Sequence, residues 1–257
     1  MFIVIDPRAR RVDGESVRIA RDVLSAGAGG EVRVCVLEQG EALPKALARG
    51  NGRQLVIVGD DRALLRAVRM LHSEGHLSAR PLGVVPVGGS TAVASALGVP
   101  TDAVAASRAV LTGRTRRLDV LTDDAGGVVL GTLGIPAPRG RGPASGWWRA
   151  VPFPRPPRQG RPRGRAEQRL RVEADGRLLA DQDRPVAEVS VRAADGLADV
   201  VVRPGPREVE VRARASSVTV SGPTGFSYRA NAVDLGPTRA RTWTVLPGAL
   251  HLAGAAP

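Results

Sequence analysis

The sequence predicts an α/β fold, with an N-terminal parallel-sheet domain over residues 1–117 and a smaller antiparallel β-sandwich domain over residues 118–257. Three observations predict it. Short apolar runs alternate with amphipathic stretches through the first 112 residues, and from about residue 118 the hydrophobic period becomes two. Between residues 136 and 169 no hydrophobic period is present, and Pro, Gly and Arg dominate.

Taken in order, "FIVI" reads as the first strand and residues 15–26 as a helix. "VRVCVL" gives a second strand with Cys35 as a core residue, and residues 41–49 a second helix. "QLVIV", a helix at 63–73, "LGVV" and helical stretches at 91–97 and 102–111 complete the alternation. Strands apolar on both faces belong to a parallel sheet covered by helices. The run "SAGAGG" at residues 25–30 follows a helix and precedes a strand, the reverse of what pyrophosphate binding needs, so it reads as a helix end and loop.

The second half offers "RLRVEADGRLLA", with Asp175-Gly176 as a hairpin turn, then "AEVSVRA", "ADVVVR", "REVEVRA", "SVTVSG" and "RTWTVLPG". These alternate apolar and polar residues as half-buried antiparallel strands do. The segment 136–169 interrupts this domain as an Arg/Pro-rich loop.

Composition narrows the function classes. With 257 residues and 43% hydrophobic content the chain can bury a core. No apolar run approaches the roughly 18 residues that span a bilayer, and the apolar start is too short for a signal peptide, so a cytoplasmic location is expected. The net charge of +12 rests on arginine, with Lys45 the one lysine. Arginine is concentrated over residues 139–171, beside Trp147, Trp148 and Phe153. A solvated linker is the simpler reading; an anionic lipid membrane surface, giving a peripheral location, is the partner that this pattern otherwise fits. Nucleic acid is disfavoured as a partner, and the oligomeric state is open. His72 and His76 have the spacing of a helical metal pair, but Gly75 ends the helix and no third ligand is evident.

Ligands of open parallel sheets bind outside the carboxyl ends of the strands. Three loops there carry suitable chemistry: "DPRAR" at 6–10, "GDDR" at 59–62 and "VGGST" at 87–91. Glycine-rich helix starts present N–H groups to phosphate, and Asp60 and Asp61 offer oxygens to magnesium. A tight passage from strand to helix would use the same glycines.

The order "QLVIVGDDRALLRAV", "PLGVVPVGGSTAVASALGVPTD", "LTGRTRRLDV" resembles the diacylglycerol kinase catalytic-domain family of soluble lipid kinases. That family has an ATP-binding α/β domain and a β-sandwich. Its second loop pattern, Pro-Leu-Gly-Thr-Gly-Asn-Asp-Phe-Ala-Arg-Ala-Leu-Gly-Ile-Pro, runs gap-free over residues 86–100, where Pro86, Gly88, Ala94, Ala96, Leu97, Gly98 and Pro100 match. The tail "SVTVSGPTGFSYRANAVDLGPTRARTWTVLPGALHL" resembles the end of the family's second domain.

The resemblance implies nucleotide contacts at Gly59, Asp60, Arg62, Gly88, Gly89, Ser90 and Thr91, with magnesium on Asp60, and implies ATP and Mg as cofactors if the protein is active. Departures fall on chemical groups. Against Gly-Gly-Asp-Gly-Thr this chain has Val58, Gly59, Asp60, Asp61 and Arg62, and Ala92 replaces the second loop's Asp. The family's Asp-Gly-Glu motif reads Asn231, Ala232 and Val233, which removes both carboxylates and leaves the catalytic residue unassigned. Two functions are therefore expected in competition. One is a catalytically impaired lipid kinase homologue, a pseudokinase that still binds ATP and Mg or an anionic membrane; the other is an active kinase for a diacylglycerol-like or sphingoid alcohol.

Overall fold

The computed structural model describes residues 1–37, 52–136, 168–204 and 209–255. Strands β1 (Phe2–Ile5), β2 (Arg33–Val36), β3 (Leu55–Gly59) and β4 (Leu82–Pro86) pair in parallel in the order β4-β3-β1-β2. Every residue of β1, β3 and β4 is buried, because helices cover both sheet faces. On one face Phe2, Val4, Leu55 and Ile57 meet helix α3 (Asp61–Ser73) through Leu64, Val68 and Leu71. On the other, Ile3, Ile5, Val56 and Val58 meet α2 (Gly14–Gly27) through Val17, Ala20 and Leu24, and α5 (Ala103–Leu111) through Ala106 and Val110. Two short helices, α1 (Pro7–Val12) and α4 (Ala92–Ala96), complete this half.

Four sequence expectations change or fall outside the described residues. The stretch 6–10 is not a loop: Asp6 caps α1 and Pro7 starts it, a position where proline's missing N–H costs nothing. Cys35 is half-buried rather than a core residue, because among the described residues β2 is the last strand of the sheet and has one neighbour. The helix expected at 41–49 lies outside the described residues, as does most of the Arg/Pro-rich segment.

The second half is antiparallel and rich in strands, from β5 (Thr115–Asp123), β6 (Val128–Val129) and β7 (Thr132–Ile135) through β8 (Gln168–Arg169), β9 (Arg171–Ala174) and β10 (Arg177–Ala180). It continues with β11 (Pro185–Ala194), β12 (Leu197–Pro204), β13 (Val211–Ala215), β14 (Ser217–Ala230) and β15 (Val233–Ala253). Asp175 and Gly176 both adopt positive φ in the β9–β10 hairpin, as their sequence signal predicts. The core here gathers Trp243, Phe226, Tyr228, Leu133, Ile135 and a row of valines, with Tyr228 edge-on to Trp243 at 5.2 Å between centroids.

The last strand ties the halves together. β15 pairs with β14, then with β5, and its end lies parallel to β4 through Leu252 and Ala253. Leu250 and Leu252 sit in the first half's core, so the C-terminal chain completes the N-terminal sheet.

Candidate functional site

Two strand ends bring three aspartates to one edge of the parallel sheet. Asp6 follows β1, is buried, and accepts the N–H of Arg8 at 2.8 Å. Asp60 follows β3 and accepts the N–H groups of Arg62 and Ala63 at 3.0 and 3.1 Å through Oδ1, capping α3. Each is an N-cap, satisfying helix-start donors that otherwise have no partner.

Asp61 caps a different helix. It is 4% exposed, and its carboxylate turns across to the β4 loop, accepting the Ser90 hydroxyl at 2.7 Å and the N–H groups of Val93 at 3.0 Å and Ala94 at 3.1 Å. Its own N–H donates to the Ser90 carbonyl at 2.8 Å. Thr91, at the N-cap position of α4, makes no side-chain cap bond. Asp61 thus supplies α4 with the carboxylate that its own first turn lacks.

The glycines are accounted for by chain approaching chain. A Cβ on Gly59 would lie 2.7 Å from the Ala63 Cβ and 3.1 Å from that of Asp6. Gly88 has φ +102°, open to glycine and strained for other residues, and backs onto the Ala9 Cα. A Cβ on Gly89 would lie 3.0 Å from Asp60 Oδ2. Gly59, Gly88, Gly89, Asp60, Ser90 and Thr91 lie in the two adjacent loops after β3 and β4, and the Arg62 side chain lies exposed at the start of α3. Sequence reasoning missed the task of Asp61. The signal was present, since a helix starting at Ala92 has no acidic residue in its first turn.

Asn231 and Ala232 form the two-residue turn between β14 and β15, with φ of 51° and 61°. A turn of this hand favours Asn-Gly or Asp-Gly. Asn231 is buried and holds β6: Oδ1 accepts the Leu130 N–H at 2.8 Å while Nδ2 donates to the Val128 carbonyl at 2.6 Å. Val233 is exposed, and Asp234 pairs with Arg229 at 2.9 Å. Among the described residues no group of three or more His, Cys, Asp or Glu side chains could hold a metal ion.

Residues 2–122 match the family model described as the diacylglycerol kinase catalytic domain. The chain belongs to that family. Its fold extends beyond the matched residues: a candidate diacylglycerol kinase from Bacillus anthracis str. Sterne superposes with a TM-score of 0.72 at 13% identity, covering 100% of this chain and 97% of that one. A structure of a diacylglycerol kinase from the same organism gives 0.71 at 14% identity, covering 100% and 96%. No curated protein matches the sequence. No helix among the described residues is long and apolar enough to cross a membrane.

Proposed function

We propose that this protein is a noncatalytic member of the diacylglycerol kinase family, a pseudokinase whose strand-end loops are closed by its own carboxylates. The observation that carries the reading is the capping of α1, α3 and α4 by Asp6, Asp60 and Asp61. Family members use ATP and a divalent metal, and phosphate at such loops is held by helix-start N–H groups. Here the capped N–H groups already have anionic partners.

Magnitudes favour the protein's own anions. A carboxylate about 4 Å from a phosphate opposes it by about 4 kcal/mol at an effective dielectric near 20. A helix dipole contributes about 0.3 to 1 kcal/mol in the other direction. To reach these donors a phosphate must displace a carboxylate, and Asp61 would then leave the N–H groups of Val93 and Ala94 without it. Asp60 has one oxygen committed to two N–H bonds, and the turn at Asn231 to Val233 carries no carboxylate. This donor set does not fit Mg-ATP.

The basic surface is the remaining asset. Arg62, Arg66 and Arg69 lie exposed along α3, on the spacing that puts them on one helical face, and the sequence holds further arginines over residues 139–171. We assign this charge to contact with an anionic lipid surface. Calorimetry with Mg-ATP tests the first part: no heat of binding is expected up to millimolar nucleotide, and micromolar binding that Asp60→Ala abolishes would refute it. Liposome flotation tests the second. Recovery on anionic vesicles that falls with salt is expected, and equal recovery on neutral vesicles would refute it.

A further inference from the structure

A cavity of about 580 Å³ opens between the C-terminal end of α3 and the β5–β15 pair, away from the strand-end loops. Its walls carry His72 from α3, Ser78 from the loop that follows, Arg117 from β5 and His251 from β15. Leu77, Leu246 and Pro247 supply an apolar side. The size lies within the range of small-ligand pockets.

Its charge is one-sided. Arg117 and His251 stand directly opposite each other across the antiparallel pair, which puts both side chains on one face a few ångströms apart. Like charges so placed oppose each other unless an anion lies between them. None of the lining residues is acidic. The carboxylate two residues along β5 from Arg117, Asp119, is engaged elsewhere: its oxygens accept the N–H groups of Gly248 and Gly196, each at 2.7 Å. Glu74, beyond the end of α3, lies 3.8 Å from His76. The Arg117 side chain has no hydrogen bond or ion pair among the described residues. His72 and His251 line the cavity together, whereas His76 lies beyond the end of α3 and is not among the lining residues.

We propose that this cavity binds a small dianion of the phosphate-monoester class, with Arg117, His72 and His251 around the anion and an organic portion against Leu77, Leu246 and Pro247. Histidine changes charge between about pH 5 and 8, so binding strengthens as pH falls and both imidazoles become cationic. The groups around them that bear on this titration are Arg117 and Asp119 on β5, and Glu74 and His76 beyond α3. The site is independent of the pseudokinase reading, since it shares no residue with the strand-end loops.

The chain has three histidines, so imidazole nitrogen NMR on the full-length protein resolves each of them, assigned with His72→Gln and His251→Gln. Sulfate, doubly charged across this pH range, is the probe. The expected result is that sulfate raises the titration midpoints of His72 and His251 and leaves that of His76 unmoved. Calorimetry should then show sulfate binding about tenfold stronger at pH 5.5 than at 7.5, and weakened about tenfold by Arg117→Gln. Equal movement of all three histidines, or of none, overturns the proposal, as does unchanged binding by a folded Arg117→Gln protein. Competition by glycerol 3-phosphate against sulfate, or by phosphatidate vesicles, then distinguishes a free phosphate ester from a lipid headgroup; failure of both overturns the phosphate-ester assignment.

Discussion

Replacing Asp61 by alanine removes the group that joins the β3 and β4 loops. The carboxylate accepts three hydrogen bonds, from the Ser90 hydroxyl and the N–H groups of Val93 and Ala94, and the two backbone donors belong to buried residues. A buried donor left without a partner costs about 1 to 3 kcal/mol. Ser90 is exposed and turns to water, so its bond adds little. The two N–H groups set the expectation, a loss of about 2 to 6 kcal/mol. Asp60→Ala is the internal comparison, an ordinary N-cap on a half-buried residue worth about 1 kcal/mol. Urea unfolding followed by tryptophan fluorescence, at equal m-value, measures both. Asp61→Asn, which keeps one oxygen acceptor, should fall between wild type and Asp61→Ala. Amide hydrogen exchange at Val93 and Ala94 should accelerate in Asp61→Ala and not in Asp60→Ala. If the two alanine variants agree within about 0.5 kcal/mol, the carboxylate does not hold the loops together and the reasoning fails.

Ala232→Gly relieves a left-handed backbone of about 1 to 2 kcal/mol and gives back about 0.5 to 1 kcal/mol in unfolded-chain entropy, for a net gain of about 0.5 kcal/mol by urea unfolding. A loss of stability would argue against the positive φ of that turn. Tyr228 is the one tyrosine, and burial first and Asp123 second raise its phenol above the ordinary value of 10.0. Ultraviolet titration should place its midpoint above that value; because the folded state favours the neutral phenol, its contribution is present at lower pH and is lost as pH rises through the folded midpoint. Asp175 has its carboxyl lowered below 3.8 by the N–H of Ser216, then by the Ser216 hydroxyl and the Ser217 N–H. Its contribution is complete above the unfolded value and is lost as pH falls through the lower, folded midpoint, a dependence that carbon NMR of the carboxyl should show and Asp175→Asn should remove.

Much of the fold was legible because its signals are local. Strands such as "LVIV", apolar on both faces, could only be covered on both sides, and Asp175-Gly176 named its own turn. What escaped was decided by partners distant in sequence. Cys35 reads as core from "VRVCVL", yet strand order makes β2 an edge. Nothing near residue 250 announces a return to β4, which depends on register with Leu82 and Gly83. At the candidate site the glycines were visible, but the task of Asp61 was not, since its partners lie 29 to 33 residues away. The pairing of Arg117 with His251 is longer in range still, and spacing along one helix drew attention to His76 instead.

The central claim is that the diacylglycerol kinase fold persists here without its chemistry. The most direct test is transfer of radiolabelled γ-phosphate from Mg-ATP to a mixed-lipid extract by the purified full-length protein, beside a no-protein control and Asp60→Ala. Incorporation equal to the control is the predicted result. Labelled lipid above the control, and lost in Asp60→Ala, would contradict the account.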